Sequence, residues 1–315
     1  MKKLTAITVA ALVAAMPMTA FAGDLNFTTG GDQGTYYGFG SVLAGEVSAD
    51  TDTTVTAITS GGSQANIYAL QDGDAELGFV QSDVMAYAYE GTNLFEDDGA
   101  IEDFSTVAAL YLEQVQIVTV NPDIKTVEDL AGKNVSIGEA GSGVYFNAID
   151  ILGAYGLTED DINPTYQSFG DSAEALQDGK IDAAFIVAGA PTTAVTSLAT
   201  AKDISLVSLD EEHIEALLAE SPYYTAYTID ADVYGTEEAA DTVAVGAVVI
   251  ARDDVDEEDV YNFVSTIFEN VDTITNAHAK GAELDLEFAA SVTAVPYHAG
   301  AAKYFEEKGL TVATK

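Results

Sequence analysis

Three turns in this chain of 315 residues set glycine beside hydroxyl side chains just ahead of an apolar helical pattern. They are Gly34-Thr35-Tyr36-Tyr37, Ser60-Gly61-Gly62-Ser63 with Asn66 one turn on, and Gly141-Ser142-Gly143-Val144-Tyr145. The first N–H groups of a helix have no partner inside it, and the helix dipole places partial positive charge there. Glycine lets a ligand approach the backbone closely, and a hydroxyl adds a short hydrogen bond. The chemistry is anion binding, and a carboxylate could be held without any cationic side chain. That fits a chain whose single arginine, Arg252, ends a strand pattern and reads as structural or solvent-exposed.

Patterns for chemical catalysis are missing. Gly138-Glu139-Ala140-Gly141-Ser142-Gly143 lacks the Lys-Ser/Thr of a P-loop, and it lacks the glycine two positions after Gly138 of a dinucleotide fingerprint. No G-x-S-x-G nucleophile elbow occurs. With no cysteine there is no thiol catalysis, disulfide framework, zinc ribbon or iron–sulfur cluster. His213, His278 and His298 are too scattered for a shared metal site. A glycosidase would usually offer tryptophan platforms, and the chain has none. The expectation is a binding protein rather than an enzyme, with no cofactor and no metal.

Charge narrows the partners further. The chain carries 52 Asp and Glu against 11 Lys and Arg, a formal charge of -41. Nucleic acid needs a basic footprint, and an anionic membrane surface would repel this chain. The acids are spread throughout, so their self-repulsion needs concentrated salt to screen it. A salt-adapted source follows. The cluster over 253–259 lacks the central glycine and ligand spacing of an EF-hand and reads as a solvated helix start. With 48% hydrophobic residues, the chain can build a sizeable core.

Lys2 and Lys3, an apolar run over 4–15, a break at Met16-Pro17 and the Ala20-Phe21-Ala22 cleavage pattern compose a secretory signal peptide. The run is shorter than the roughly 20 residues of a membrane span. The mature chain is expected to begin near Gly23, in the periplasm. Loss of two lysines and no acid takes its charge from -41 to -43.

Strand and helix patterns alternate around the three turns. Strands are expected at 25–29, 55–59, 77–81, 107–120, 134–139, 183–187, 204–209 and 243–251. Helices are expected through Phe39, Val42, Leu43 and Val47, over 63–71, and through Ile149, Leu152 and Tyr155. Thr126 would cap a short helix ending at Gly132, and Asp171 with Glu174 has the form of a capping box. Val260, Phe263, Val264, Ile267, Phe268 and Val271 mark a strongly amphipathic helix. The class is α/β with largely parallel sheets. An internal echo goes further: Ala69-Leu70-Gln71-Asp72-Gly73 recurs as Ala175-Leu176-Gln177-Asp178-Gly179, each ahead of an acid and an apolar strand. A Gly–hydroxyl turn precedes each copy by a similar distance. Two lobes built alike, with a cleft between them, are the simplest cause.

A family resemblance enters on these residues. Gly34-Thr35-Tyr36-Tyr37 with Gly40, Ser60-Gly61-Gly62-Ser63 with Asn66, and Leu77-Gly78-Phe79-Val80-Gln81-Ser82-Asp83 resemble the TAXI family. These are solute receptors of tripartite ATP-independent periplasmic (TRAP) transporters. The segment Asp129-Leu130-Ala131-Gly132-Lys133-Asn134-Val135-Ser136-Ile137-Gly138 agrees, as do Gly141-Ser142-Gly143 and Asp182-Ala183-Ala184-Phe185 with Gly189 and Pro191.

The resemblance implies a type II periplasmic-binding-protein fold, with two similar lobes closing on a ligand. Lobe one would comprise residues 23–115 and a return segment 244–315, with lobe two over 116–243. The implied ligand is a small carboxylate, glutamate first, with 2-oxoglutarate and other dicarboxylates behind it. The implied partner is the membrane permease of a TRAP transporter, and a monomer is expected. A ligand-sensing role is the alternative.

The motifs nominate the site. Gly34, Thr35, Tyr36 and Tyr37 would supply amides, a hydroxyl and a ring wall; Ser60, Ser63 and Asn66 would bind a carboxylate or a backbone polar group. Gln81 and Asp83 sit at a strand end, where α/β sites collect. Asp83 would receive an ammonium group or else cap the helix after it. Ser142, Gly143 and Tyr145 would form the second cradle, and Gly189 and Pro191 would shape the cleft. Tyr223 and Tyr224 would close over the ligand or simply pack, and Gln114 lies near the expected hinge.

Overall fold

A computed structural model describes residues 23–315, so the leader read over 1–22 lies outside the described residues. The first apolar residues, Leu25 and Phe27, are buried on strand β1 (Asp24–Thr28). β1 pairs in parallel with β2 (Thr54–Ile58) and β3 (Leu77–Gln81). Helices α1 (Thr35–Asp50) and α2 (Ser63–Gln71) make the crossovers. Helix α3 (Ser82–Glu90) leaves the end of β3 and stops at Gly91, whose φ of 67° suits glycine. Strand β4 (Phe104–Thr119) follows, buried along nearly all of its length.

The next stretch repeats that plan. Strands β5 (Asn134–Ser136), β6 (Asn163–Thr165) and β7 (Ala183–Ala188) alternate with helices α4 (Val144–Ala154), α5 (Phe169–Gln177) and α6 (Thr193–Ala201). The strand orders β2-β1-β3 and β6-β5-β7 match. The echoed pentapeptides have one job in both places. Each ends its helix, α2 or α5, with a glycine at positive φ, Gly73 at 78° and Gly179 at 68°. The acid that follows then pins the first strand of its own half. Glu76 Oε2 accepts from Asn26 N–H at 2.9 Å, and Asp182 Oδ2 accepts from Asn134 N–H at 2.8 Å.

The chain finishes with β8 (Ser205–Leu206), α7 (Glu211–Glu220), β9 (Thr225–Ile229), β10 (Ala240–Arg252), α8 (Glu257–Glu269), α9 (Val271–Ala277), α10 (Leu286–Ala289) and α11 (Ala299–Glu307). One ten-stranded sheet runs β2-β1-β3-β10-β4-β7-β5-β6, with β8 added to β4 and β9 to β10. β4 and β10 are antiparallel, with Glu113 opposite Val245. On one side of that point Phe27, Phe79, Val107 and Val249 share a core with Phe263 of α8. On the other, Val115, Ile117, Val243 and Val245 pack with Phe185 and Ile151. The expected α/β architecture of two similar lobes around a cleft is the one adopted, but in one mixed sheet rather than largely parallel ones, because β4 and β10 run antiparallel to their neighbours.

Several local readings need correction. Helix α5 is capped by Ser168, whose Oγ accepts from Asp171 N–H at 3.1 Å, a turn earlier than the Asp171–Glu174 box implied. Only Ser205–Leu206 of the 204–209 run is strand. The 253–259 cluster is only partly a solvated helix start. Asp256 caps α8, but Asp259 is buried and accepts from Thr53 Oγ1 at 2.6 Å, and Asp253 accepts from Ser105 Oγ at 2.6 Å. The apolar stripe Val260, Phe263, Val264 and Ile267 is buried as expected, each side chain contributing about 1.5–3 kcal/mol. No helix among the described residues is long and apolar enough to cross a membrane.

Candidate functional site

Four helices start on one space between the lobes. Their capping residues Gly34, Gly62, Gly143 and Ser168, and their first helical residues Thr35, Ser63, Val144 and Phe169, line a cavity of about 60 Å³. Gln81, which precedes α3, lines it too. Helices α1 and α2 come from one lobe, α4 and α5 from the other. Their positive dipole ends and first-turn N–H groups therefore face a common volume, with Ala65 N–H of α2 and Asp171 N–H of α5 already partnered. Among the described residues the cavity wall carries no Lys, Arg or His. Among the described residues no cluster of His, Cys, Asp and Glu could hold a metal ion.

The lobes are shut on this volume. Gly141 carbonyl accepts from Ala65 N–H at 3.0 Å, so one lobe's turn caps the other lobe's helix. Thr35 Oγ1 donates to the Gly189 carbonyl at 2.8 Å, and the Gln33 carbonyl accepts from Ala194 N–H at 3.2 Å. Gln81 Nε2 donates to Asn147 Oδ1 at 3.0 Å, and Asn147 Nδ2 donates to Asp83 Oδ2 at 2.8 Å and to Tyr224 Oη at 2.9 Å. Two polar atoms at the cavity, Gln81 Oε1 and Ser142 Oγ, are buried without a partner. Unmet buried polar atoms cost about 1–3 kcal/mol each, and a ligand here would recover that.

The side-chain charge of the wall is negative. Asp32 is exposed, Glu139 half-buried and Glu113 buried. Burial raises the Glu139 carboxyl above its usual range, with Asp171 adding to it. Burial pushes Glu113 up to about 8, with the charge of Asp83 adding, against the opposing effects of a hydrogen bond from Tyr36 and the charge of Lys280. Tyr36 Oη donates to Glu113 Oε2 at 2.6 Å, and burial followed by Glu113 raises the phenol well above its ordinary value.

Of the nominated residues, the structure brings Gly34, Thr35, Tyr36, Ser63, Gln81, Ser142 and Gly143 to the cavity wall. The others stand elsewhere. Tyr37 is half-buried and off the wall. Ser60 Oγ accepts from Gly62 N–H at 3.1 Å, shaping the turn. Asn66 is buried beneath it, its Nδ2 donating to the carbonyls of Thr29 and Phe79. Tyr145 is half-buried and off the wall, donating to Glu159. Gln114 ties Ala190 N–H to the strand end at 2.8 Å. Gly189 is packed under Lys280 and Tyr111, where a Cβ would fall 2.4 Å from Lys280 Cε, and Pro191 follows a cis peptide on the exposed side.

Asp83, Tyr223 and Tyr224 form a separate group behind the cavity. Asp83 lies in the first turn of α3 and is fully buried. Burial is the main cause raising its carboxyl to about 6. Tyr224 donates to Asp150 at 2.8 Å, and Tyr223 meets Tyr87 edge-on at 5.9 Å. Arg252 is structural, pairing with Asp254 and Glu76 and donating to the Ala75 carbonyl.

Glu113, Glu139 and the stretch Gln167, Ser168, Phe169 and Gly170 line the cavity without having been nominated. The echo held the signal for the last of these. Ala69 and Ala175 are 106 positions apart, and the same step from Gly62 lands on Ser168. Glu113 was legible as a lone acid inside an apolar strand pattern.

A model of the NMT1-like family matches residues 27–309. Among solved structures, the alkanesulfonate-binding protein SsuA from Xanthomonas axonopodis pv. citri bound to MOPS is similar at a TM-score of 0.52 and 16% identity, over 92% of this chain and 92% of that one. A protein of Bordetella bronchiseptica RB50 is similar at 0.55 and 15% identity, over 90% and 89%. A mutant of ArgBP from T. maritima is similar at 0.50 and 15% identity, over 82% and 93%. At these identities the likeness speaks for the fold, a type II periplasmic-binding-protein fold of two lobes around a cleft. With the family model matched from the first strand almost to its end, the chain belongs to the NMT1-like family.

Proposed function

We propose that this protein is an extracytoplasmic solute receptor that captures a small carboxylate, glutamate foremost, and presents it to the permease of a TRAP transporter as a TAXI-type receptor. The observation that carries the reading is the meeting of four helix N-termini, two from each lobe, on one cavity without a cationic side chain among the described residues. Such a cavity can offer an anion amides and hydroxyls from both sides. The ligand is held most tightly when the lobes are shut, so binding favours the closed state. The role is binding and delivery by a monomer, not chemical turnover.

In this reading residues 23–115 and 244–315 form one lobe, 116–243 the other, and 1–22 the removed leader. Gly34, Thr35, Tyr36, Ser63, Gln81, Ser142, Gly143 and Ser168 hold the ligand. The SsuA likeness makes sulfonates a class to include beside 2-oxoglutarate and other dicarboxylates. Thermal-shift measurement of the mature chain in concentrated salt tests the reading. Stabilisation by amino acids, dicarboxylates or both is expected. Stabilisation by sugars or cations alone would contradict it. Ligand-dependent signalling that persists without the permease would favour the sensing role.

A further inference from the structure

Glu113 is the buried acid on the cavity wall, and anion binding leaves it unused. It sits where β4 passes between the lobes, is 2% exposed, and lines the same cavity as the helix N-termini. Its carboxyl is fixed in place. Tyr36 donates to Oε2 at 2.6 Å, and the Tyr36 ring is stacked on Phe79 with centroids 4.6 Å apart and planes at 4°. A buried carboxylate is costly unless a cation or several donors compensate it. The cation that acts on it, Lys280, is not on the cavity wall, and its Nζ is bonded to Glu283 at 2.5 Å. Asp83, the sequence candidate for an ammonium partner, is off the wall, with its Oδ2 bound by Asn147.

We propose that Glu113 receives the ammonium group of the ligand, so that the site takes zwitterionic α-amino acids, with carboxylate at the helix N-termini and ammonium at Glu113, and rejects 2-oxo acids of the same length. This rests on the small-carboxylate reading above. Where Glu113 is ionised, an oxo acid would bring a carbonyl oxygen and no N–H donor to a buried acceptor that then stays unpaired. Sites with a buried polar group left unmatched discriminate strongly.

Titration gives a second handle. The titratable and charged groups that act on Glu113 are Tyr36 of α1, Tyr111 of its own strand, Asp83 of α3 and Lys280 of the turn after α9. With its carboxyl pushed up to about 8, Glu113 holds a proton in the unliganded protein at lower pH. An ammonium guest needs the ionised form, so its binding expels that proton. Affinity then rises with pH up to about 8 and levels off. A guest to which Glu113 donated its proton would show the reverse.

Calorimetric titration of the mature chain in concentrated salt, with glutamate and 2-oxoglutarate as probes and Glu113→Gln as the variant, tests this. At about pH 8 and above, where Glu113 is ionised, the wild type is expected to bind glutamate at least ~100-fold more tightly than 2-oxoglutarate. Its glutamate affinity should rise between about pH 6 and pH 8. Glu113→Gln should lose on the order of 100-fold for glutamate while its 2-oxoglutarate affinity holds or improves. Equal or better binding of 2-oxoglutarate by the wild type where Glu113 is ionised overturns the assignment, as does glutamate affinity that falls with pH or is unchanged in a folded variant. Should the variant not fold, the wild-type preference and pH trend decide alone. Binding of oxo acids without amino acids sinks only the role of Glu113, whereas binding of no carboxylate at all sinks the underlying reading with it.

Discussion

Gly143 lies so close to Gln81 that a β-carbon built on it would fall 1.5 Å from Gln81 Oε1. The two residues belong to opposite lobes, and both line the cavity. Gln81 cannot yield freely, because it is buried and its amide is engaged by Asn147. The contact is therefore possible only with glycine on the lobe that carries α4. Gly143→Ala should hold the lobes apart and weaken glutamate binding by roughly 10–100-fold, about 1.4–2.8 kcal/mol. Calorimetric titration reads the loss, while each lobe keeps its own core and the unliganded melting temperature moves little. Wild-type affinity in the variant would show that the lobes do not need this approach.

Ser142 offers a subtler test. Its Oγ is buried at the cavity without a partner. If a ligand carboxylate completes it, Ser142→Ala removes a charge-assisted hydrogen bond of about 1.5–3 kcal/mol on binding. The unliganded protein loses only an orphan, so its melting temperature should hold or rise slightly. Paired melting and titration experiments separate these effects. Lost stability with unchanged affinity would make Ser142 a structural residue.

Asp83 predicts a pH dependence of stability. Burial raises its carboxyl to about 6 in the folded chain, from an ordinary 3.8. A group with a raised folded value stabilises at low pH, and that stability is lost as pH climbs through the folded value. The loss therefore falls between about pH 4 and pH 6, and Glu113 extends the same trend toward about 8. Asp83→Asn keeps an acceptor for Asn147 but carries no charge. It should gain on the order of 3 kcal/mol over the wild type between pH 4 and pH 7, at about 1.4 kcal/mol per pKa unit. Thermal melts across this range at fixed high salt measure it, and parallel profiles for the two proteins would refute it.

Charge should govern arrival at the site. The chain carries -41 formally, and an anionic ligand must approach through that field. Added salt shortens the Debye length to about 3 Å at 1 M. Stopped-flow association with glutamate should quicken as salt rises from dilute buffer, with the fold monitored by circular dichroism. A flat or falling rate with the fold intact would contradict this.

What the sequence made legible followed from local physics. The glycine turns and helical spacing located α1, α2 and α4, because helix starts depend on neighbouring residues. The pentapeptide echo exposed two matching halves, since the same helix stop and strand-pinning acid serve each. What stayed hidden depended on long-range placement. Asp83 and Gln81 are two positions apart, yet one is sealed behind Asn147 and the other lines the cavity, because the strand ends between them. Tyr145 is on the right helix but off the cavity wall, donating to Glu159. Ser168 carries no glycine turn like the other three, so only the echo's spacing pointed to it.

The account stands on a negatively charged guest held by peptide N–H and hydroxyl groups at converging helix starts. A crystal structure of the mature chain grown with glutamate tests that most directly. The account predicts a ligand carboxylate within about 3 Å of N–H groups at the starts of helices from both lobes. A glutamate bound elsewhere, or a cavity filled by an uncharged molecule with those N–H groups unengaged, would contradict it.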